Sequence, residues 1–165
     1  MPNPTSIPAD GNVKVAFCTT LSAPNAPVVT QVTAGTDVTT YLTGSGLAYS
    51  TEQAPIDDTR LSDTDETERP GRTRVGLELT YVYQAQGSPT DNDAYDDLAE
   101  DATGFIVIRF GPAHTTAFAA AQVVDVIPVI CGVQRKMPPE ANSTLKVMQK
   151  LFVTGPSFRD AVIAA

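Results

Sequence analysis

Arg72-Thr73-Arg74-Val75-Gly76-Leu77-Glu78-Leu79-Thr80-Tyr81-Val82-Tyr83 decides the fold class of this 165-residue chain. Val75, Leu77, Leu79, Tyr81 and Tyr83 fall on one face of an extended segment. Arg74, Gly76, Glu78, Thr80 and Val82 fall on the other. A period of two predicts a half-buried antiparallel strand with a mostly polar outer face. The alternation recurs at Val13 to Cys18. It recurs again at Leu145 to Val153, where Leu145, Val147, Gln149, Leu151 and Val153 stand against Lys146, Met148, Lys150 and Phe152. Phe105 to Phe110 is apolar on both faces, which predicts a central strand. Shorter candidates lie at 28–32, 37–42, 47–51 and 159–163, with Gly44-Ser45-Gly46 read as a turn. Val123 to Val133 is a further strand, and Pro128 within it implies an edge or a bulge. The composition agrees: Thr is 21 and Val is 17 of 165 residues, and β-branched side chains suit a pleated surface. About eight strands in one domain fit a β-sandwich or barrel.

Two segments break the pattern. Ser88 is a predicted N-cap and Pro89 a predicted N1 residue, with Ala94, Leu98 and Ala102 recurring on one face. They predict one flanking α-helix over about 89–101, closed by Thr103-Gly104. Residues 52–71 have few large apolar side chains and no clean period, which predicts a long loop. His114 to Gln122 reads as loop or short helix. The first twelve residues are polar and form an N-terminal arm, and 156–165 form a C-terminal segment.

Chemical signatures are scarce. His114 is the single histidine and no nucleophile elbow accompanies it. Cys18 and Cys131 lie 113 residues apart without metal-ligand spacing, so two free, buried thiols are expected. EF-hand registers starting at Asp91 or Asp63 place the wrong residues at the glycine and terminal glutamate positions. Glycosidase chemistry needs a carboxylate pair in a cleft with sugar platforms, and tryptophan is absent. No phosphate-cradling glycine loop occurs. The expectation is therefore a protein that is not an enzyme and holds no metal or cofactor. The start of the chain shows no signal-peptide pattern and no apolar run reaches the ~20 residues of a membrane span. A soluble chain made in a cytoplasm, without membrane partners, is expected.

The net charge is −8, which disfavours a conventional nucleic-acid binder. It is unevenly spread. Residues 52–68 and 91–101 together carry a net −12, and the remainder carries +4. Opposite charges on different regions suit a head-to-tail interface between copies of one chain. The candidates for such contacts are Glu52, Asp57, Asp58, Arg60, Asp63, Asp65, Glu66, Glu68 and Arg69 in the loop. Arg135, Lys136, Lys146, Lys150 and Arg159 are the basic candidates nearer the end of the chain.

Several segments are familiar in their order. They are Ile7 to Val15, Ala34-Gly35-Thr36-Asp37, Tyr41-Leu42-Thr43, Gly76 to Tyr83 and Ala102 to Arg109, followed by Gln134 to Ser143 and Lys150-Leu151-Phe152-Val153-Thr154-Gly155. In this order they resemble the major tail proteins, or tail tube proteins, of long-tailed non-contractile bacteriophages, the actinobacteriophage type in particular. The resemblance spans nearly the whole chain. It implies a virion protein assembled in the host cytoplasm. Six copies would make a ring whose inner strands join in one barrel. Rings would stack around a tape-measure protein, meet tail terminator and distal tail proteins at the tube ends, and pass DNA only as cargo. Under it, 52–71 becomes a stacking arm. Strands 72–83 and 145–153 become lumen candidates through Arg74, Glu78, Thr80, Lys146, Met148 and Lys150, and an acidic or neutral bore is expected. The alternatives are a related ring component, such as a tail terminator or secretion-tube protein, and a β-sandwich binding module.

Overall fold

A computed structural model describes residues 3, 5–62, 64–84, 86 and 91–165. The chain folds as β1 (Val13–Cys18), α1 (Val29–Thr33), β2 (Thr36–Asp37), β3 (Leu42–Asp57), β4 (Glu68–Val82), α2 (Asp93–Asp97), β5 (Thr103–Phe110), β6 (Val123–Lys136), β7 (Lys146–Val153) and β8 (Phe158–Val162). One antiparallel sheet runs in the order β2-β1-β5-β6-β7-β4-β3, with β8 paired to β6. The mainly β expectation holds.

The sheet curls over its own core. Val15, Phe17, Ile106 and Ile108 of one half pack with Leu77, Leu79, Tyr81, Val147 and Leu151 of the other, and Ala94 and Leu98 close the space between them. A second cluster covers the back of β1, β5 and β6 and contains Val32, Val107, Phe118, Val124 and Ile163. This is why β5 is apolar on both faces: Ile106 and Ile108 serve one cluster and Val107 the other.

β6 makes the curl possible. Its first part pairs with β5 and β8, and from Val129 onward it pairs with β7, through a register shift between Cys131 and Gln134. Gly132 sits at that shift. A Cβ there would lie 2.6 Å from the Lys150 carbonyl oxygen and 2.9 Å from the Phe152 ring. Pro128 is inside the sheet, where β6 changes partner from β8 to β7. Its carbonyl accepts from Thr154 N–H at 3.0 Å, so its missing N–H falls at the junction. β6 is thus not an edge strand, and Pro128 lies in unbroken register with Phe105 of β5, between the two register shifts of β6 and in neither. The edge-or-bulge expectation is replaced by a proline seated in the gap between β8 and β7.

Four sequence expectations need correction. Residues 28–32 are not a strand: α1 occupies 29–33 and docks the fully buried Val32, so packing of one side chain overrides β-branched propensity. Segments 37–42 and 47–51 are not separate strands divided by a turn. From Leu42 onward the chain is one strand, β3, with a register shift between Leu42 and Leu47. There Gly46 approaches the Thr80 carbonyl more closely than any side chain permits. The helix is five residues, 93–97, instead of 89–101. The predicted Ser88 cap and Pro89 lie outside the described residues. Asn92, at the helix start, gives its side chain to Gln84 in both directions at 2.8 Å.

The fourth correction concerns 52–71. This stretch is no loop: β3 and β4 continue as a hairpin to Asp57 and Glu68, leaving only 58–67 as the connection. Every residue of β3 from Thr51 to Asp57 is exposed, so cross-strand pairing forms this strand and burial leaves no period to read. Pro55 and Pro70 face each other across it. Both are tolerated because each lies on a strand with an open edge. Among the described residues, 114–122 holds no helix. This segment is organised by Arg109, which is fully buried and donates to the carbonyls of Ala113, Thr116 and Ala117 and to Gln122 Oε1 at 2.8–3.0 Å.

Candidate assembly surfaces

The strand register places the candidate residues on one face and at two ends. β4 and β7 align Leu77 with Leu151, Glu78 with Lys150, Thr80 with Met148 and Val82 with Lys146. Residues directly opposite point to the same side. Leu77, Leu79, Tyr81, Val147, Gln149 and Leu151 point inward and are buried. Arg74, Glu78, Thr80, Lys146, Met148 and Lys150 share the opposite, outward face. Glu52 joins them opposite Arg74, and Arg135 joins opposite Met148. All six lumen candidates therefore lie on one continuous four-strand face of β6, β7, β4 and β3. The face carries more cations than carboxylates: Arg74, Arg135, Lys146 and Lys150 outnumber Glu52 and Glu78. Pairing places Glu78 against Lys150 and Glu52 against Arg74, leaving Arg135 and Lys146 as the excess.

Both margins of this half-sheet are open. β3 pairs only with β4 along its length. At the other margin β6 leaves β5 after Ile130, so residues 133–136 pair on one side only. Open edges invite pairing with another chain.

The inner side of the face is locked by a buried polar network. Gln149, fully buried, accepts from Tyr81 Oη at 2.8 Å and donates to the Leu98 and Gly132 carbonyls at 2.7 and 2.8 Å. Gln134 donates to Tyr81 Oη at 3.1 Å and to the Tyr95 carbonyl at 2.6 Å. The acidic segment 91–101 is thereby tied to the sheet, and Tyr95 stacks on Tyr83 with centroids 5.4 Å apart. Burial pushes the Tyr81 hydroxyl well above its ordinary pKa. In the sequence Gln149 was legible only as a polar residue on an apolar face.

The two ends of the strands differ. At the helix end lie Arg135, Lys136 and Lys146, with Lys136 5.4 Å from the Tyr83 ring centroid, and the segment beginning at Asp91. At the hairpin end β4 runs from Glu68 to Gly76 without β7 beside it, a reach of about 30 Å. Asp58 pairs there with Arg69 at 2.6 Å and Arg60 at 3.2 Å. Asp57 accepts from Thr59 N–H at 2.9 Å, which holds its carboxyl below the usual range. Asp57 and Glu68 stand directly opposite each other. Asp65 and Glu66 are exposed near the tip, and Asp63 lies outside the described residues. Lys150 and Arg159 flank the root of the hairpin. The predicted acidic candidates thus gather at the hairpin end, whereas the basic ones are divided: Arg60, Arg69, Lys150 and Arg159 lie in or beside the hairpin, and Arg135, Lys136 and Lys146 lie at the helix end.

Cys18 and Cys131 are free and buried in different clusters, and burial raises both thiols to about 11. Among the described residues no group of His, Cys, Asp and Glu gathers as metal ligands, and no helix is long and apolar enough to cross a membrane.

A curled antiparallel sheet with one polar, uncovered face and two open margins defines a structural subunit of the tail-tube class. The family model described as phage tail tube protein matches residues 1–165, and the chain belongs to that family. A chain in the cryo-EM structure of the anti-feeding prophage (AFP) baseplate, 6-fold symmetrised, shares the fold. The TM-score is 0.52 at 13% identity, covering 94% of this chain and 95% of that one. No curated protein matches the sequence. The protein is a structural component of a phage tail.

Proposed function

We propose that six copies form a ring in which the β6-β7-β4-β3 faces line the bore, and that rings stack into the tube. The observation that carries this reading is the pair of open margins on one four-strand face. Joining β3 of each copy to the β6 end of the next closes both margins of this four-strand face around the ring. The sixfold number is supported by the resemblance and by the symmetry of the related baseplate structure. The tube encloses a tape-measure protein during assembly, is bounded by terminator and distal tail proteins, and later conducts DNA. Glu78 and Glu52 offset Lys150 and Arg74 on the bore, and Arg135 and Lys146 remain as a cationic excess toward one end of it, so along the rest of the bore DNA meets paired charges that hold it weakly. The β3–β4 hairpin is the stacking arm; an isolated two-stranded hairpin is marginal in water and gains order from a partner. No catalytic role is assigned.

The test is assembly of the purified chain, read by negative-stain microscopy and sedimentation. Long hollow tubes are expected. Single rings that never propagate would favour a terminator, and a monomer at every concentration would overturn the reading.

A further inference from the structure

Beyond the end of β7, between the free edge of β4 and the turn leading into β8, lies an open cleft of about 840 Å³. Arg74, Lys150 and Arg159 line it, with Val75, Val153 and Ser157, and no acidic side chain does. We propose that this notch seats the β6–β7 loop, residues 137–145, of a second copy stacked end to end. The inference rests on the tube reading above and names the contact that stacking would use.

Three features support this occupant. The loop and the notch lie at opposite ends of the same strand, since β7 begins at the loop and ends at the notch. Translating one copy along the strand direction brings the loop of one to the notch of the next. The loop is also built to project. Met137 N–H donates to the Lys146 carbonyl at 2.9 Å and closes its base. Pro138-Pro139 stiffen its rise, and residues 138–145 are all exposed.

The charges also match in two places. Glu140 is the loop's single charge, and it would enter a notch lined by three cations, two of which, Arg74 and Lys150, also face Glu52 and Glu78 across their strand pairs. Arg135, Lys136 and Lys146, at the loop's base, would meet the hairpin that flanks the notch. There Asp57 opposes Glu68 directly. Like charges in that position destabilise a strand pair, and neighbouring cations would relieve the repulsion.

Two experiments on the full chain test this. In the first, Asn142→Cys with Ser157→Cys is assembled and oxidised. Disulfides need Cα atoms within roughly 7 Å, so a ladder of cross-linked multimers on non-reducing gels is expected. Thr64→Cys with Ser157→Cys, which reports the hairpin tip in the same notch, gives none. In the second, Glu140→Arg raises the concentration for half-maximal assembly about tenfold by placing like charges together, and adding Arg159→Glu restores it. Wild-type tubes with no ladder from the 142/157 pair, or with a ladder from the 64/157 pair, overturn the proposal and leave the tube reading standing. An unchanged assembly threshold in Glu140→Arg does the same. Failure of the wild-type chain to form tubes removes both.

Discussion

Replacing residues 54–72 by Asn-Gly tests whether the hairpin serves assembly and not the fold. Gln53 and Thr73 are register partners, and Asn-Gly favours the two-residue turn that joins such a pair. No residue of the deleted stretch belongs to either core cluster. Its largest apolar side chains are Ile56 and Leu61, exposed by 54% and 108%. Losing the half-buried Ile56 costs about 1 kcal/mol. The exposed ion pairs of Asp58 are worth at most about 1 kcal/mol each. Shortening the connection from nineteen residues to two returns about 2 kcal/mol of closure entropy. The terms nearly cancel, leaving a change within about 2 kcal/mol against a typical stability of about 5–15 kcal/mol. Urea denaturation is expected to show a cooperative transition close to that of the full chain. Sedimentation is expected to show no polymer. A subunit that no longer folds would refute the exposure reasoning, and normal tubes would refute the stacking role.

The remaining predictions concern the sheet and its charges. Gln149→Leu keeps the volume but strips three buried hydrogen bonds, and is expected to cost about 3 kcal/mol; a loss under about 1 kcal/mol in denaturant melts would contradict the network. Gly132→Ala forces a Cβ against the Lys150 carbonyl 2.6 Å away and is expected to cost about 1–3 kcal/mol; an unchanged midpoint would contradict the close approach. Burial alone would raise the Asp37 carboxyl, but Thr39 and the 2.9 Å pair with Lys14 outweigh it and hold its pKa below the ordinary value. The stabilisation is therefore present above the unfolded-state carboxylate pKa and lost as pH falls through the lowered one. Asp37→Asn should be less stable than wild type at pH 7 and converge with it in acid, and a constant gap across that range would contradict the assignment. Cys18 and Cys131 should resist a thiol reagent at pH 8 until the chain is unfolded, and fast labelling of the native protein would contradict their burial.

What the sequence revealed followed from burial. Leu77, Leu79 and Tyr81, or Val147 and Leu151, alternate because one face meets the core, and Phe105 to Ile108 is apolar throughout because β5 divides two clusters. Where strands form without burial, nothing periodic remains. Residues 52–57 and 68–74 pair with each other in solvent, and the polar composition of 52–71 imitates a loop. The 29–33 helix was equally hidden, because its single buried anchor, Val32, contacts residues distant in sequence. Charge counting found the acidic hairpin and the basic candidates but not their division between two ends of the strands, which depends on antiparallel register. Lys150 and Arg159 belong with the hairpin root, whereas Arg135, Lys136 and Lys146 belong to the far end. Arg109 looked like one polar residue closing an apolar strand. Its burial is intelligible only from four acceptors supplied by the 113–122 segment.

Electron cryomicroscopy of the assembled protein tests the central claim most directly. The account predicts a hollow tube with six copies in each ring, each contributing β6, β7, β4 and β3 to one closed barrel, with Glu78, Thr80, Met148 and Lys150 facing the bore. A polymer in which that face points outward, or in which β3 and the β6 end remain unpaired between neighbours, would contradict it.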